Sequence, residues 1–180
     1  MRDAAFEAAL NQRAWVCRAR VRLAGDLAAM TPGYELNGEL EAARVQPVEG
    51  AAKDSLVGQI PTATHVAYVR YQDLRVGDCL AVVDGELRLA ADATQGSEGL
   101  SLQSADGLVV GAIVQLHSGT TIDEGVITGV NENDVTITPG LQHTHTAGEA
   151  VWMVNVYLVD GVFDVAGVRH HLKLMMREKR

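Results

Sequence analysis

The fold is decided by the stretch from Thr64 to Ala90, which reads THVAYVRYQDLRVGDCLAVVDGELRLA. Its first eight residues alternate in the manner of a strand, so Val66 and Tyr68 are expected on one face. The opposite face would carry His65, Ala67, Val69 and Tyr71. Because valine and aromatic side chains suit a pleated, half-buried surface, the stretch predicts a β-rich fold.

Turn signals follow this first strand closely. Residues 73–78 are polar and contain Gly77, so they predict a turn before the apolar run 79–83. Asp84-Gly85 is a two-residue hairpin signal between apolar segments, and Asp160-Gly161 repeats it late in the chain. Both dipeptides are therefore predicted to be hairpin turns.

Towards the N-terminus the pattern changes twice. Residues 3–12 contain good helix formers and predict a short helix. From Trp15 a period of two places Cys17, Ala19, Val21 and Leu23 on the same face as Trp15, and predicts a basic outer face made of Val16, Arg18, Arg20 and Arg22. We interpret the three arginines as partners for acidic neighbouring subunits rather than for nucleic acid.

Residues 24–62 are irregular and rich in turn signals. A loop of that length is unusual in a compact domain, and it would serve as a functional arm or partner-binding loop. The alternative is a meander with short strands, such as residues 43–48. The sequence leaves both interpretations open.

A second β section follows a polar break at residues 92–99. Its predicted strands are residues 100–103, 112–117, 125–130 and 134–138, with a turn at 131–133. Further strands are predicted at 151–159, 162–165 and 171–176. Residues 175–180 are expected to fray, as chain ends often do.

Charge is distributed unevenly along the 180 residues, whose formal net charge is −8. Between Arg88 and Arg169 there are ten acidic residues and neither lysine nor arginine. This argues against a basic nucleic-acid groove across that section.

No apolar run reaches the roughly 18 residues of a membrane span. Cys17 and Cys79 lie outside any CxxC motif and are expected to be reduced and partly buried.

The strongest candidate for chemistry is the pair His143 and His145. At i, i+2 on a strand their rings would share a face, and Asp123, Glu124 or Glu149 would complete a metal site. We favour a structural interpretation, since Thr-His-Thr after Pro-Gly is typical of a solvated or turn-bonding loop. Asp123-Glu124 is likewise interpreted as an exposed turn rather than an acid–base pair, because adjacent strand side chains diverge.

Other catalytic signatures are missing from the sequence. There is no Gly-x-Ser-x-Gly motif, phosphate-binding loop or dinucleotide fingerprint. His170 and His171 would face opposite sides of a strand and so would not act as a pair. The sequence therefore predicts no enzyme, no catalytic, cofactor-binding or metal residues, and no cofactor.

Two separated segments carry a family resemblance. The first, residues 63–78, is a strand ending in the aromatic-Arg-aromatic element Tyr68 to Tyr71 and followed by a turn. The second combines residues 156–164 with residues 171–178, a predicted last hairpin and terminal strand. Together they resemble the head-closure (stopper) and head–tail joining proteins of long-tailed bacteriophages. About 60 residues separate these segments where the family's short form has almost none, which implies an inserted β unit.

The resemblance implies a mainly β fold: a small β-barrel or sandwich-like domain with a short N-terminal helix and an inserted second β unit. Residues 1–91 plus 153–180 would form the head–tail-joining-like domain, and residues 92–152 the insertion. Such a protein would form a homo-oligomeric ring, a dodecamer by resemblance, in the virion neck after assembly in the host cytoplasm. Exposed sheet edges and loops, including residues 24–62 and the Asp84-Gly85 region, would meet neighbours.

The implied partners are portal or adaptor proteins above the ring and the tail terminator or tail tube below it. Genomic DNA would pass through the channel without sequence-specific binding, and no membrane partner is expected. Other interpretations stay open. The chain would also suit an adaptor, a tail-completion protein or a ligand-binding acidic β module, and a metal-dependent enzyme using His143 and His145 is the remaining alternative.

Overall fold

The computed structural model describes residues 10–21, 32–37, 39–48, 63–70, 72–164 and 171–179. Their regular secondary structure is β, and the strand pairs whose register is described below are antiparallel. The mainly β prediction is confirmed. A search of the same residues for a long, apolar helix that would reach across a membrane finds none.

The chain divides into two compact units. The first unit comprises Met1–Val82 and Val156–Arg180, and the second unit is Val83–Asn155. The strands of the first unit are β1 (Gln12–Val21), β2 (Pro32–Leu36), β3 (Glu41–Pro47), β4 (His65–Arg70) and β11 (His171–Glu178). The long strands β5 (Cys79–Arg88) and β10 (Ala150–Asp164) contribute residues to both units.

In the first unit, the first and last strands of the pairing order are themselves paired. The order β11-β4-β3-β1-β5-β10 is completed by a further pairing of β10 with β11. The register places Val69 opposite both Ala43 on β3 and Leu172 on β11, while Leu174 lies opposite Val162 on β10. The core residues of this unit include Ala14, Val16, Ala43, Ala67, Val69, Leu80, Val159, Leu172, Leu174 and Met176.

The second unit is built from hairpins. β7 (Ile113–Ser118) pairs with β8 (Thr121–Asn131), which pairs with β9 (Asp134–Thr138), and β9 pairs with the short β6 (Gly99–Ser101). The predicted turn at 131–133 is confirmed, since Asn131 lies opposite Asp134. The core of this unit includes Leu89, Leu100, Leu102, Val114, Leu116, Ile127, Val135, Ile137, Leu141 and Val151.

Both predicted Asp-Gly hairpins are wrong. β5 continues through Asp84-Gly85, and β10 continues through Asp160-Gly161. A two-residue I′ hairpin needs positive φ at its central residues, and neither glycine has it. Gly85 instead makes room for Met153 on β10, because a Cβ there would overlap the Met153 methyl group. Near Gly161 the β10–β11 register shifts, which indicates a β-bulge.

Two N-terminal predictions also need revision, and a third question is answered. Residues 3–9 of the predicted helix lie outside the described residues, while Gln12 begins β1 and is not helical. The face of β1 that was expected to point outward carries Val16, which is buried in the core beside Ala14. Within residues 24–62, the described parts form β2 and β3, as the meander alternative predicted.

The predicted fraying at the C-terminus is wrong for residues 175–178. β11 extends to Glu178, and Met175 and Met176 are buried. Their side chains supply the apolar area that holds the last strand in place. The chain end is also tied by Lys179, whose backbone N–H donates to the Val156 carbonyl and whose ammonium lies 4.5 Å from the Tyr34 ring centroid.

Candidate functional site

A set of two histidines and two carboxylates, of which one each is buried, lies within the second unit. We call it the histidine network; its members are Asp123, His143, His145 and Glu149. Asp123 belongs to β8, and the other three belong to the connection between β9 and β10, residues 139–149. Asp123 is 4% exposed and His145 is 0% exposed, so two ionisable side chains are removed from water here.

Asp123 accepts three hydrogen bonds in this network. The backbone N–H of His143 donates to Oδ2 at 2.9 Å, and the Nδ1 of the same residue pairs with Oδ1 at 3.0 Å. Nε2 of His145 pairs with Oδ2, also at 3.0 Å. Burial by itself would raise the pKa of Asp123, but the hydrogen bonds from His145 and His143 outweigh it and hold the pKa below its ordinary value.

His145 lies between two carboxylates. Its Nδ1 is 2.8 Å from Oε2 of Glu149, opposite the contact with Asp123. Since carboxylate oxygens only accept, both contacts are satisfied when both ring nitrogens carry hydrogen. The buried ring is therefore held between two carboxylate acceptors, one on each side.

Glu149 is fixed from a second side as well. Its Oε1 accepts a hydrogen bond from the Thr146 hydroxyl at 2.8 Å. Burial would raise the pKa of Glu149, but the bonds from Thr146 and His145 bring it below the ordinary value. The carboxylate is thus held in its charged form beside the ring.

Local backbone contacts explain why this irregular connection takes one shape. His145 and Ala93 exchange two backbone hydrogen bonds, at 2.8 and 2.9 Å. Thr146 to Glu149 closes a turn in which Gly148 has φ of +85°, a conformation that favours glycine. The backbone N–H of Ala147 donates to the Asp92 carboxylate at 2.8 Å. These contacts position both histidines towards β8.

A second group of polar side chains lies on the neighbouring strands. Gln115 on β7 donates from Nε2 to Glu124 on β8 at 2.8 Å, which leaves its oxygen 3.3 Å from Nε2 of His117. The His117 ring stacks on Trp152 of β10, with centroids 6.3 Å apart. Burial first, and then the positive charge of His145, lower the pKa of His117 to about 4.

Neither models of protein families nor curated proteins match this chain. The network is therefore interpreted from its own geometry. Among the described residues, no group of three or more His, Cys, Asp or Glu side chains is arranged to hold a metal ion. The network directs three imidazole nitrogens at carboxylate oxygens rather than at one shared point.

One prediction about these residues is wrong. Asp123 and Glu124 lie inside β8 rather than in an exposed turn, although their side chains do diverge, one towards the histidines and the other towards Gln115. For the histidine segment, the turn-bonding alternative fits better than the solvated one, since His145 is fully buried and Thr146 bonds to Glu149 across a turn. The preferred interpretation of a structural role agrees with these contacts.

Gln115 and His117 were missed by the sequence analysis. Their signal is present, because both are polar residues at i, i+2 that alternate with the apolar Val114 and Leu116 on β7. Such a pair on one face of an apolar strand indicates buried polar groups that need partners. The hydrogen-bonding partner on β8 is far away in the local pattern, so the sequence alone does not reveal it.

Arg18 forms its ion pairs within its own chain. Its guanidinium lies 3.2 Å from the Asp73 carboxylate and 3.7 Å from that of the buried Asp78. Arg18 therefore has partners within its own chain, and the expected pairing of the arginines with a neighbouring subunit stays a prediction. The side chain of Arg20 and the whole of Arg22 lie outside the described residues.

The other residues considered in the sequence lie outside the histidine network. Cys17 and Cys79 are buried thiols and are not joined in a disulfide. His171 begins β11, whereas His170 lies outside the described residues. Near the C-terminus, Arg177 on β11 lies 3.6 Å from Asp160 of the same chain.

Proposed function

We propose that this protein is a structural component of the bacteriophage neck, a ring subunit that closes the DNA-filled head and offers an attachment surface to the tail. The observation that carries the proposal is the pairing of β4 with β11. These strands come from the two segments that resemble the head–tail joining family, and they lie side by side with Val69 opposite Leu172. The chain between them includes the entire second unit.

The pairing pattern of the first unit supports a barrel-like subunit. Strands β4, β3 and β11 each have neighbours on both sides, so their hydrogen-bonding edges are used within the chain. A ring of such subunits would associate through strand faces and connections rather than through strand addition at those edges. The proposed ring stays the same, but its subunits would not associate at exposed sheet edges, as the sequence led us to expect.

The formal net charges of the two units differ, which supports different roles for them. The second unit contains ten acidic residues and one arginine, a formal net charge of −9, whereas the first unit carries +1. An acidic surface along the channel would repel the DNA backbone and let the genome pass without adhering. The first unit would then supply the contacts between neighbouring copies.

A phage genome with a stop codon in this gene tests the function. We expect DNA-filled heads without tails, or heads that lose their DNA, when the particles are imaged and their DNA is measured. Supplying the intact gene in trans is the matched control and should restore infectious particles. Intact, infectious particles made without the protein would overturn the proposal.

The same experiment separates the alternatives. Stable DNA-filled heads beside finished tails that fail to join would indicate a later joining component, and unfinished tails would indicate tail completion. Normal particles that fail only to attach to cells would indicate a ligand-binding acidic β module instead. Each outcome is read directly from the particles.

A further inference from the structure

A row of alternating aromatic and cationic side chains crosses four neighbouring strands of the first unit. Phe163 on β10 lies opposite Lys173 on β11, and Lys173 lies opposite Tyr68 on β4. Tyr68 in turn lies opposite Arg44 on β3. Directly opposed residues of paired strands share one face of a sheet, so the four side chains form one continuous surface. We call them the basic-aromatic row.

The basic-aromatic row faces away from the core of its unit. Its chain neighbours Ala43, Val69 and Leu172 are core residues, and side chains alternate between the two faces along a strand. Phe163 is 38% exposed, and Arg44 is exposed as well. Within the residues that the structure describes, the four side chains of the row take part in no hydrogen bond, ion pair or ring contact. Both the charges and the rings are therefore available to a partner.

The second unit carries a surface of the opposite charge, built from two neighbouring turns. The backbone N–H of Ala105 donates to the side-chain oxygen of Asn133 at 3.3 Å, and that of Leu102 donates to the Asn133 carbonyl at 2.8 Å. These bonds hold the connection between β6 and β7 beside the turn between β8 and β9. We call five exposed residues at these two turns the acidic tip: Asp106, Val109, Val110, Glu132 and Asp134.

The acidic tip combines negative charge with exposed apolar surface, a combination that marks interaction sites. Val109 and Val110 are 63% and 66% exposed. In the described part of the chain, the three carboxylates of the tip have no hydrogen bond or ion pair. The second unit has no lysine, and its one arginine, Arg88, already contacts Glu86 and the carbonyl of Gly148. Further cations for the tip must therefore come from outside the second unit.

We propose that the basic-aromatic row of one copy of this chain docks on the acidic tip of a second copy. The cations of the row pair with the carboxylates of the tip, and the two rings cover the exposed valines. Aromatic residues and arginine are the side chains enriched at protein interfaces. Each copy carries the two surfaces on different units, so the contact is heterologous and closes into a ring when the rotation between copies allows it. The inference rests on the proposed neck function for that ring.

Alternating rings and cations also suit single-stranded nucleic acid, whose bases stack and whose phosphates pair with cations. Electrostatics favour the second copy. The whole chain has a formal net charge of −8 and repels phosphates, whereas a second unit of −9 attracts the cations of the row. The exposed valines of the tip also give the two rings an apolar surface to cover.

Sedimentation equilibrium of the purified whole chain measures the contact. The unaltered chain should self-associate, and more weakly as salt is added, because exposed charges are screened. A row variant, Arg44→Glu with Lys173→Glu, should associate at least about tenfold more weakly, because like charges then meet. A tip variant, Glu132→Lys with Asp134→Lys, should show the same loss. Arg75→Glu, the same charge change at an exposed cation outside the row, is the matched control and should associate normally.

A mixture of the two variants tests the pairing itself. The reversed row of one variant meets the reversed tip of the other, so the mixture should regain the association that each variant lacks alone. If a variant does not fold, carbodiimide cross-linking of unaltered, isotopically light and heavy chains decides. A light–heavy peptide that joins Lys173 to Asp106, Glu132 or Asp134 agrees with the proposal, and the absence of such a peptide contradicts it.

Three other results would overturn the proposal. They are an unaltered chain that stays monomeric at low salt, association that is unchanged in the row and tip variants, and a mixture of folded variants that does not regain association. Loss of binding to a labelled single-stranded oligonucleotide in the row variant, with self-association intact, would assign the row to nucleic acid and would also overturn it. The neck function is judged separately, from phage particles.

Discussion

Asp123 and His145 meet at 3.0 Å although 22 positions separate them in the chain. The contact joins a central strand of the second unit to the irregular connection that follows β9. It holds the His145 ring between two carboxylates, with little solvent exposure on the Asp123 side. A buried ion pair of this kind is costly to break, because the remaining partner keeps its charge without water.

Replacing Asp123 with Asn should destabilise the protein by about 3 kcal/mol, the range found when one member of a buried pair is removed. The amide keeps the size of the side chain but loses its charge, and its NH₂ group would face ring or backbone donors. Urea denaturation at pH 7 measures the change. Asp134→Asn, at an exposed position on β9, is the control and should stay within about 0.5 kcal/mol.

The Asp123→Asn variant also has a pH signature. Asp123 and Glu149 have lowered pKa values, so each contributes stability above its unfolded value (3.8 and 4.5), and that stability is lost as the pH falls below those values. The unfolding free energy should therefore decline below about pH 5 in the unaltered protein. A decline equally steep in Asp123→Asn would contradict this role of the carboxylate.

The two histidines of the network should differ in importance. His145→Gln removes the buried ring that contacts both Asp123 and Glu149 and should cost about 3 kcal/mol. His143→Gln should cost about 1 kcal/mol, because the ring is 34% exposed and its backbone N–H still bonds to Asp123. Denaturant midpoints of the two variants measure this order. Equal losses would show that the ion pair around His145 carries no special weight.

Any side chain at position 140 should lower the stability of the protein. A Cβ at this position would lie 3.0 Å from the Gly96 carbonyl oxygen and 3.1 Å from that of Ser97, both of which are backbone atoms. Gly140→Ala should therefore destabilise the protein by about 1–3 kcal/mol, the range for overpacking. Gly99→Ala is the matched control, since its nearest neighbour would be 4.0 Å away. Thermal unfolding of both variants distinguishes a local clash from a general effect of losing glycine.

Arg18 should matter more than its neighbour Arg75. Arg18→Met leaves the buried carboxylate of Asp78 without its cation, which should cost about 2 kcal/mol. Arg75→Met breaks only an exposed pair with Asp73 and should stay within about 0.5 kcal/mol. The comparison is made by urea denaturation at pH 7. A larger loss for Arg75→Met would contradict the intrachain role given to Arg18.

Local patterns in the sequence were good guides where neighbouring segments pair with each other. The β8–β9 hairpin is of this kind, because its turn and its alternating Val135 and Ile137 are visible in a short window. Asp84-Gly85 looked similar but lies inside β5, whose partners β1 and β10 are distant in the chain. A hairpin signal does not reveal that a strand has stronger partners elsewhere.

For the same reason, the sequence revealed the members of the histidine network but not their contacts. His143, His145, Asp123 and Glu149 were singled out together, yet the sequence pointed to a solvated or turn-bonding segment or to a metal pair. What decides the outcome is the position of β8 beside residues 139–149, which brings Asp123 into reach of both rings. That proximity depends on tertiary pairing and has no local signature.

The location of the protein in a virion tests the central claim most directly. Intact particles carrying an epitope tag on this chain can be labelled with antibody-bound gold and imaged. A neck protein predicts label at the single junction between head and tail, and none on particles without the tag. Label over the head shell, along the tail, or on no particle at all would contradict the proposed function.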